Sequence, residues 1–372
     1  MGLGAARYPL AGAKRLPTTL TVIPSSMSFA SPLKASSNPP AETGVLRQIY
    51  LPTENPLCLP EGQQLLGVVQ HVGQAAEAPS HDDVPTAWLA MDTIGDSPGR
   101  EVWSTDLPVH YGTLGEIRYA RSDDLLFGVA RYPADDLDQV TYRGYCDLIR
   151  LIRSNGAGQL IRLWNYFPRI NESQDQLERY RRFCRGRHEA LAEMGYSLDE
   201  DLPASTAVGS RPGDFWIIFL AGKGTRLQVE NPLQMSAFRY PPIYGPRSPS
   251  FSRAVRYSTL RGDQLFISGT ASIRGHETTH GGNIMGQCQA TLDNLRALLR
   301  QAGADDLDEL GSRASWKVYL RRADDYETVR DCLRKDMGPA SPLLFVEGDI
   351  CRESLLLEIE GFVNLQPPLV KC

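Results

Sequence analysis

The chain carries one pattern of elements twice, over residues 117–221 and 255–361, and such a duplication restricts the fold to two copies of one unit. In the first copy Ile117-Arg118-Tyr119 precedes Leu125-Leu126-Phe127; in the second Val255-Arg256-Tyr257 precedes Leu265-Phe266-Ile267. Each pair predicts a hairpin. A helix is expected after each hairpin. Ile284, Cys288, Thr291, Leu292, Leu295, Leu298 and Leu299 share one helical face. Val140, Leu148, Leu151 and Ile152 do so less regularly, and Asn155-Gly156 closes that helix. Both copies continue with a strand (160–166 and 316–320), a second helix (174–194 and 326–336), Pro-Ala-Ser punctuation (203–205 and 339–341) and a last strand (214–221 and 354–361). The expected fold is α+β, two tandem ββαβαβ units with their sheets packed together and helices outside.

The last strand distinguishes the copies. Alternation sets Leu355, Leu357 and Ile359 on one face and Leu356, Glu358 and Glu360 on the other. Paired acids on a strand usually mark a solvated face. Aligning the copies by Gly222 and Gly361, however, puts Phe219 opposite Glu358, so the unit itself demands no carboxylate there. A duplicated fold with one active site has this asymmetry.

Residues 1–45, rich in Pro, Ser and Ala, are expected to form a loose leader. Residues 46–230 make an N-terminal unit with additional strands at 65–69 and 87–91, and 254–372 make the C-terminal unit. Between them, 231–253 is a connecting loop stiffened by prolines, and its Tyr240-to-Pro249 stretch suits a pocket wall. The net charge of −5 argues against nucleic acid as a partner. No apolar run approaches the roughly 20 residues of a membrane span, and a secretory leader is not expected. Seven scattered cysteines suit free thiols in a reducing cytoplasm.

His276-Glu277-Thr278-Thr279-His280 matches the zinc-protease pattern in letters only. Gly275, Gly281 and Gly282 flank it, so it predicts a polar loop and no metal site. Gly222-Lys223-Gly224-Thr225-Arg226 reads as a turn after a strand. Cys351 has no obvious histidine partner and reads as a buried structural thiol. Arg187, Arg226, Arg247 and Arg321 fall at element ends or in the stiff loop. If several converge on one pocket, they suit a substrate bearing carboxylates.

Leu265 to Ser272, followed by a Gly-His-Glu loop and a helix, resembles the YjgF/Rid fold, as does the closing Leu-Glu-Ile-Glu-Gly strand. More specifically, residues 110–372 resemble the chorismatases, which are built from two Rid-like units. The resemblance rests on 162–166 with 168–172, 179–181 with 186–187, 244–253 and 349–352. It implies an enzyme that releases pyruvate from chorismate without a cofactor, with Glu358 as catalytic acid. Tyr180, Arg187, Tyr240, Arg247, Gly269, Arg321 and Cys351 would be substrate-binding; Arg187 with Tyr180, and Arg321 with Arg247, would hold the two carboxylates. The ring product would be a hydroxybenzoate, with the 3-isomer favoured, or a dihydroxycyclohexadiene carboxylate. Gly269 favours the aromatic product by leaving room beside the ring. The alternatives are a Rid-type imine hydrolase, which would need an arginine near Leu343 where none stands, and a non-catalytic metabolite-binding protein. Either a monomer or a homotrimer fits the duplication.

Overall fold

The computed structural model describes residues 46–73 and 83–365; the expected leader and Cys372 lie outside them. Four strands come first: β1 (Leu46–Leu51), β2 (Gln64–Val72), β3 (Thr86–Ala90) and β4 (Arg100–Thr105), in the sheet order β1-β4-β2-β3. β2 and β3 are the two strands expected in this region. β1 and β4 escaped sequence reading because polar residues interrupt their apolar pattern. Gln48 and Glu101, for example, point at each other, with Gln48 Nε2 donating to Glu101 Oε1 at 2.8 Å.

The first repeat runs β5 (His110–Leu114), β6 (Ile117–Arg121), β7 (Leu125–Tyr132), α1 (Leu137–Ser154), β8 (Gln159–Pro168), a small hairpin of β9 (Ser173–Gln174) and β10 (Leu177–Glu178), α2 (Arg179–Glu193), β11 (Ala204–Ser210) and β12 (Phe215–Gly222). The second runs β13 (Thr225–Val229), β14 (Ala254–Thr259), β15 (Gly262–Thr270), a small hairpin of β16 (Ile273–Arg274) and β17 (Glu277–Thr278), α3 (Ile284–Ala302), the short α4 (Leu307–Leu310), β18 (Ala314–Leu320), α5 (Tyr326–Met337), β19 (Leu343–Glu347) and β20 (Leu357–Leu365). Their sheets have the orders β11-β8-β12-β7-β6-β5 and β13-β14-β15-β20-β18-β19. Read from opposite edges, these orders are the same, and in each the edge strand β11 or β19 pairs in parallel with its neighbour. This is the tandem α+β arrangement expected, with two more strands per unit. The edge strands β5 and β13 were missed, and β11 and β19 were hidden behind what read as punctuation. Thr225–Val229 joins the second sheet, although the sequence reading ended the first unit at 230.

Three apolar cores follow from strand alternation. α1 and α2 cover the outer face of the first sheet, while α3, α4 and α5 cover that of the second. The inner faces of both sheets pack with the four-stranded sheet around Trp103, Trp164, Phe266 and Phe362. α2 begins at Arg179 rather than 174 because Asp175 and Gln176 take positive φ (51° and 66°) and turn the β9–β10 hairpin.

Two details of the last strand differ from expectation. Its pairing begins at Leu357, so Leu355 packs into the inner core rather than beside Leu357. Phe219 is not the counterpart of Glu358, because it packs in the outer α1–α2 core while Glu358 alternates inward. β20 runs four residues beyond Gly361 whereas β12 stops at Gly222, so the two glycines are not equivalent. The inward residues of β12 are Trp216, Ile218 and Leu220, all apolar.

A buried ion cluster joins the three sheets. Lys317 Nζ on β18 lies 2.5 Å from Glu101 on β4 and 3.3 Å from Glu360 on β20. Arg162 on β8 completes it at 2.9 Å from Glu360. Trp103 and Trp164 donate indole N–H groups to Glu101 and Glu360, and Lys317 reaches Tyr166, whose hydroxyl bonds that of Tyr319. Removing one partner strands a buried charge. Lys317→Met should therefore lower unfolding free energy by about 3–5 kcal/mol. Adding Glu101→Gln should cost less than the sum of the two single changes. Urea unfolding of the four proteins checks this; additive effects would count against a coupled cluster.

Candidate active site

A cavity of about 520 Å³ opens where the two repeats meet. α2 supplies Tyr180 and Arg187, β11 supplies Ser205 and Ala207, and the connecting loop supplies Tyr240, Tyr244, Phe251 and Arg253. β15 and β20 contribute Gly269 and Glu358, and the segment before β20 contributes Cys351 and Arg352.

Glu358 is 5% exposed and, among the described residues, has no hydrogen-bond or ion-pair partner. Burial, reinforced by the neighbouring Glu360 carboxylate, pushes its carboxyl up to about 8; Arg162 and Arg253 oppose this only in part. Its Oε1 lies where a side chain of residue 269 would begin, 1.9 Å from the position of a Cβ on Gly269. The room left by Gly269 is therefore taken by the acid itself. Cys351 lies beside it, and burial followed by the Glu358 carboxyl pushes its thiol up to about 12, so it is no thiolate nucleophile at neutral pH.

Glu360 shares this face of β20 but has the opposite chemistry. Burial works to raise it, yet Lys317 and Arg162 hold it below the usual carboxylate range. It belongs to the ion cluster and not to the cavity.

Three guanidinium groups line the cavity without a carboxylate within ion-pair distance among the described residues: Arg187, Arg253 and Arg352. Arg187 is buried, rests on the Phe183 and Phe251 rings and leaves its Nε unpartnered. Arg253 lies over Phe251 and Tyr240, donates to the Tyr240 hydroxyl at 2.8 Å and to the Met235 carbonyl, and also leaves Nε unpartnered. Arg352 stacks over Tyr244, 4.1 Å from the ring centroid, and over Tyr240. Shared rings thus string the three cations into an arc, Arg187–Phe251–Arg253–Tyr240–Arg352.

Of the expected site residues, Glu358, Tyr180, Arg187, Tyr240, Gly269 and Cys351 line this cavity; Arg247 and Arg321 do not. Arg247 is exposed on the connecting loop. Arg321 spends its donors on Asn171, Asp349 and the carbonyls of Ile350, Arg352 and Leu355, so it shapes the segment that carries Cys351 and Arg352. Arg226 donates to the Glu200 and Leu202 carbonyls, away from the cavity. The cations that reach it instead, Arg253 and Arg352, stand inside the loop and closing motifs on which the resemblance rested; nothing in their spacing marked them. His276 and Glu277 lie in the β16–β17 hairpin rather than a helix, and the His276 Nδ1 pairs with the Tyr244 hydroxyl at 3.1 Å.

An unpartnered acid set against cations that lack a carboxylate is the kind of site the sequence resemblance implies. The family "Chorismatase FkbO/Hyg5-like, N-terminal" matches residues 101–221. A chorismatase of Streptomyces hygroscopicus is 38% identical over 312 residues, covering 82% of this chain and 90% of that protein. A 3-hydroxybenzoate synthase of the same organism is 35% identical over 317 residues, covering 82% and 93%. The crystal structure of a chorismatase superposes with a TM-score of 0.79 at 36% identity, over 86% of this chain and 98% of that one. With nearly the whole length of these relatives matched, the chain belongs to the chorismatase family.

Proposed function

We propose that this protein cleaves the enol ether of chorismate and releases pyruvate, with Glu358 as the proton donor. The observation that carries this reading is the neutral, unpartnered Glu358 carboxyl facing a cavity in which Arg187, Arg253 and Arg352 lack a carboxylate partner. Chorismate is a dicarboxylate, and Arg187, Arg253 and Arg352 are the groups that hold it. Proton transfer from Glu358 to the terminal methylene carbon makes an oxocarbenium ion, which the new Glu358 carboxylate stabilises. Water or the ring C4 hydroxyl then adds to that cation and returns a proton to Glu358, and the bond between the ether oxygen and the former enol carbon breaks as pyruvate leaves. Where the C4 hydroxyl is the nucleophile, its own C4–O bond also breaks and the C3 proton is lost as the ring becomes aromatic. Hydroxybenzoate and pyruvate together have the atoms of chorismate, whereas the dihydroxycyclohexadiene product requires one added water. We favour 3-hydroxybenzoate, on the strength of the relative named 3-hydroxybenzoate synthase. The room at Gly269 gives no support for this choice, since the acid fills it. Incubation with chorismate, with pyruvate read enzymatically and the ring product by chromatography, decides both points.

Glu358→Gln should bind chorismate but turn it over at least about 10²–10⁴-fold more slowly. It should also be more stable than the native protein at neutral pH. The unfolded carboxyl ionises near pH 4.5, but in the fold it keeps its proton to about pH 8. Between those values the folded state binds more protons than the unfolded one, so stability falls as pH rises, by up to about 3 kcal/mol at pH 7. Glutamine removes that loss. Melting curves should show the variant gaining at pH 7 and gaining nothing near pH 4, with pyruvate release measured in parallel. A variant with near-native turnover would sink the mechanism.

The same titration governs the native enzyme. A general acid works only while protonated, so kcat should hold through neutrality and fall as pH rises through about 8. A rate that increases across that range would assign Glu358 the role of base.

Replacing Arg187 or Arg352 by alanine should lower kcat/KM by about 2–4 kcal/mol, mostly through KM. Arg247→Ala, exposed and outside the cavity, should stay near native. Steady-state kinetics of the three variants tests the arc; a defect confined to Arg247 would displace the carboxylate site onto the connecting loop.

A further inference from the structure

The backbone against which Glu358 rests is itself irregular. β15 pairs regularly with β20 from Asp263 to Ile267 and slips before Thr270, which pairs with Ile359, so Ser268 and Gly269 bulge opposite the single residue Glu360. The first repeat holds this bulge. Ser205 N donates to Ser268 Oγ at 2.8 Å, and Ser268 Oγ donates onward to the Ser252 carbonyl at 2.6 Å. The Gly269 N–H finds no strand partner and donates instead to Thr206 Oγ1 on β11 at 3.1 Å. Thr206 Oγ1 also accepts from Arg162 Nη2 at 2.6 Å, the same nitrogen that binds Glu360 at 2.9 Å. Thr206 is 2% exposed and does not line the cavity.

We propose that Thr206 is a positioning residue for the reaction: its hydroxyl ties the Gly269 bulge to the Arg162–Glu360 ion pair and so fixes the floor under the Glu358 carboxyl. The proposal rests on Glu358 being the acid. One oxygen receives two donors from two directions, the bulge amide and the guanidinium, and keeps its own proton as one of the groups that hold Glu360 ionised. The charged groups acting on Glu358 are Glu360 on its own strand, Arg162 on β8 and Arg253 at the end of the connecting loop; Cys351 before β20 is a titratable neighbour that Glu358 itself acts on. Without the Thr206 oxygen, Arg162 is released from one of its two partners and the bulge loses its amide acceptor. Both changes favour the ionised form of Glu358, the first by freeing a cation and the second by admitting water.

The test is Thr206→Val, which keeps shape and removes the oxygen, alongside Thr206→Ser, which restores it, and Thr206→Ala. In Thr206→Val, kcat for chorismate should fall about 10–100-fold with KM changed by less than about threefold, and the high-pH limb of kcat should move to lower pH by about half a unit or more. Thr206→Ser should recover the native limb and most of kcat. If the valine variant does not fold, the alanine and serine pair decides by the same limb. A native limb in Thr206→Val or Thr206→Ala, or serine behaving like valine, overturns the proposal. Should Glu358→Gln remain active, the acid assignment itself has failed; should it be dead while Thr206→Val is native, only the role of Thr206 has.

Discussion

The structure turns on a charge that cannot be moved. Glu360 is surrounded by Lys317, Arg162 and the Trp164 N–H, and Lys317 is shared with Glu101 of a third sheet. Two acids and two bases balance within a few ångströms, so the cluster carries no net charge into the core. Such clusters seldom add net stability over apolar packing, but they tolerate no partial occupancy. What this one supplies is registration. Each of the three sheets contributes a charge or its partner, and any slide of one sheet over another would leave a buried ion alone.

That registration makes the chemistry of the cavity possible. Glu358 is two residues from Glu360, on the same face and within reach of its field. If Glu360 were free to take a proton, the acids would share the burden of burial, and Glu358 would ionise more readily. With Glu360 locked as an anion, the repulsion falls wholly on Glu358. The cavity arginines are handled in the opposite way. Arg187, Arg253 and Arg352 are held by aromatic faces and by hydroxyl and carbonyl acceptors, without a carboxylate, which orients a guanidinium while leaving its charge uncancelled. A site built so keeps its cations for a substrate.

Much of this could be read from the chain because period and repetition are strong signals. The helical face from Ile284 to Leu299 appears as α3, and the hairpins of both copies form where the paired runs predicted them. Glu358 was singled out from the sequence and lines the cavity, but one step that led to it was faulty. The glycine alignment paired it with Phe219, which faces the wrong core. The first repeat still places no carboxylate there, because the inward face of β12 is apolar at Ile218 and Leu220. The edge strand Ala204–Ser210 was illegible, since small and polar residues give it little β-propensity and its contacts are supplied by β8 and by the bulge of the other repeat. The arginines were the least legible. Nothing local tells Arg321, whose donors are consumed within its own fold, from Arg352, whose guanidinium rests on a ring and faces the cavity.

The difference between those two arginines shows what a sequence pattern leaves open about an active site. Residue type sets what a group can do, and its partners set what it is free to do. Arg321 and Arg352 are the same cation only thirty-one positions apart, joined by a hydrogen bond from the first to the carbonyl of the second at 3.0 Å. One organises the segment and the other is presented by it. Glu358 and Glu360 repeat the contrast in carboxylates two positions apart. Alternation could place both acids inward. Only the positions of Lys317 and Arg162, contributed from two different sheets, decide that one is spent as a structural anion and the other is left with its proton.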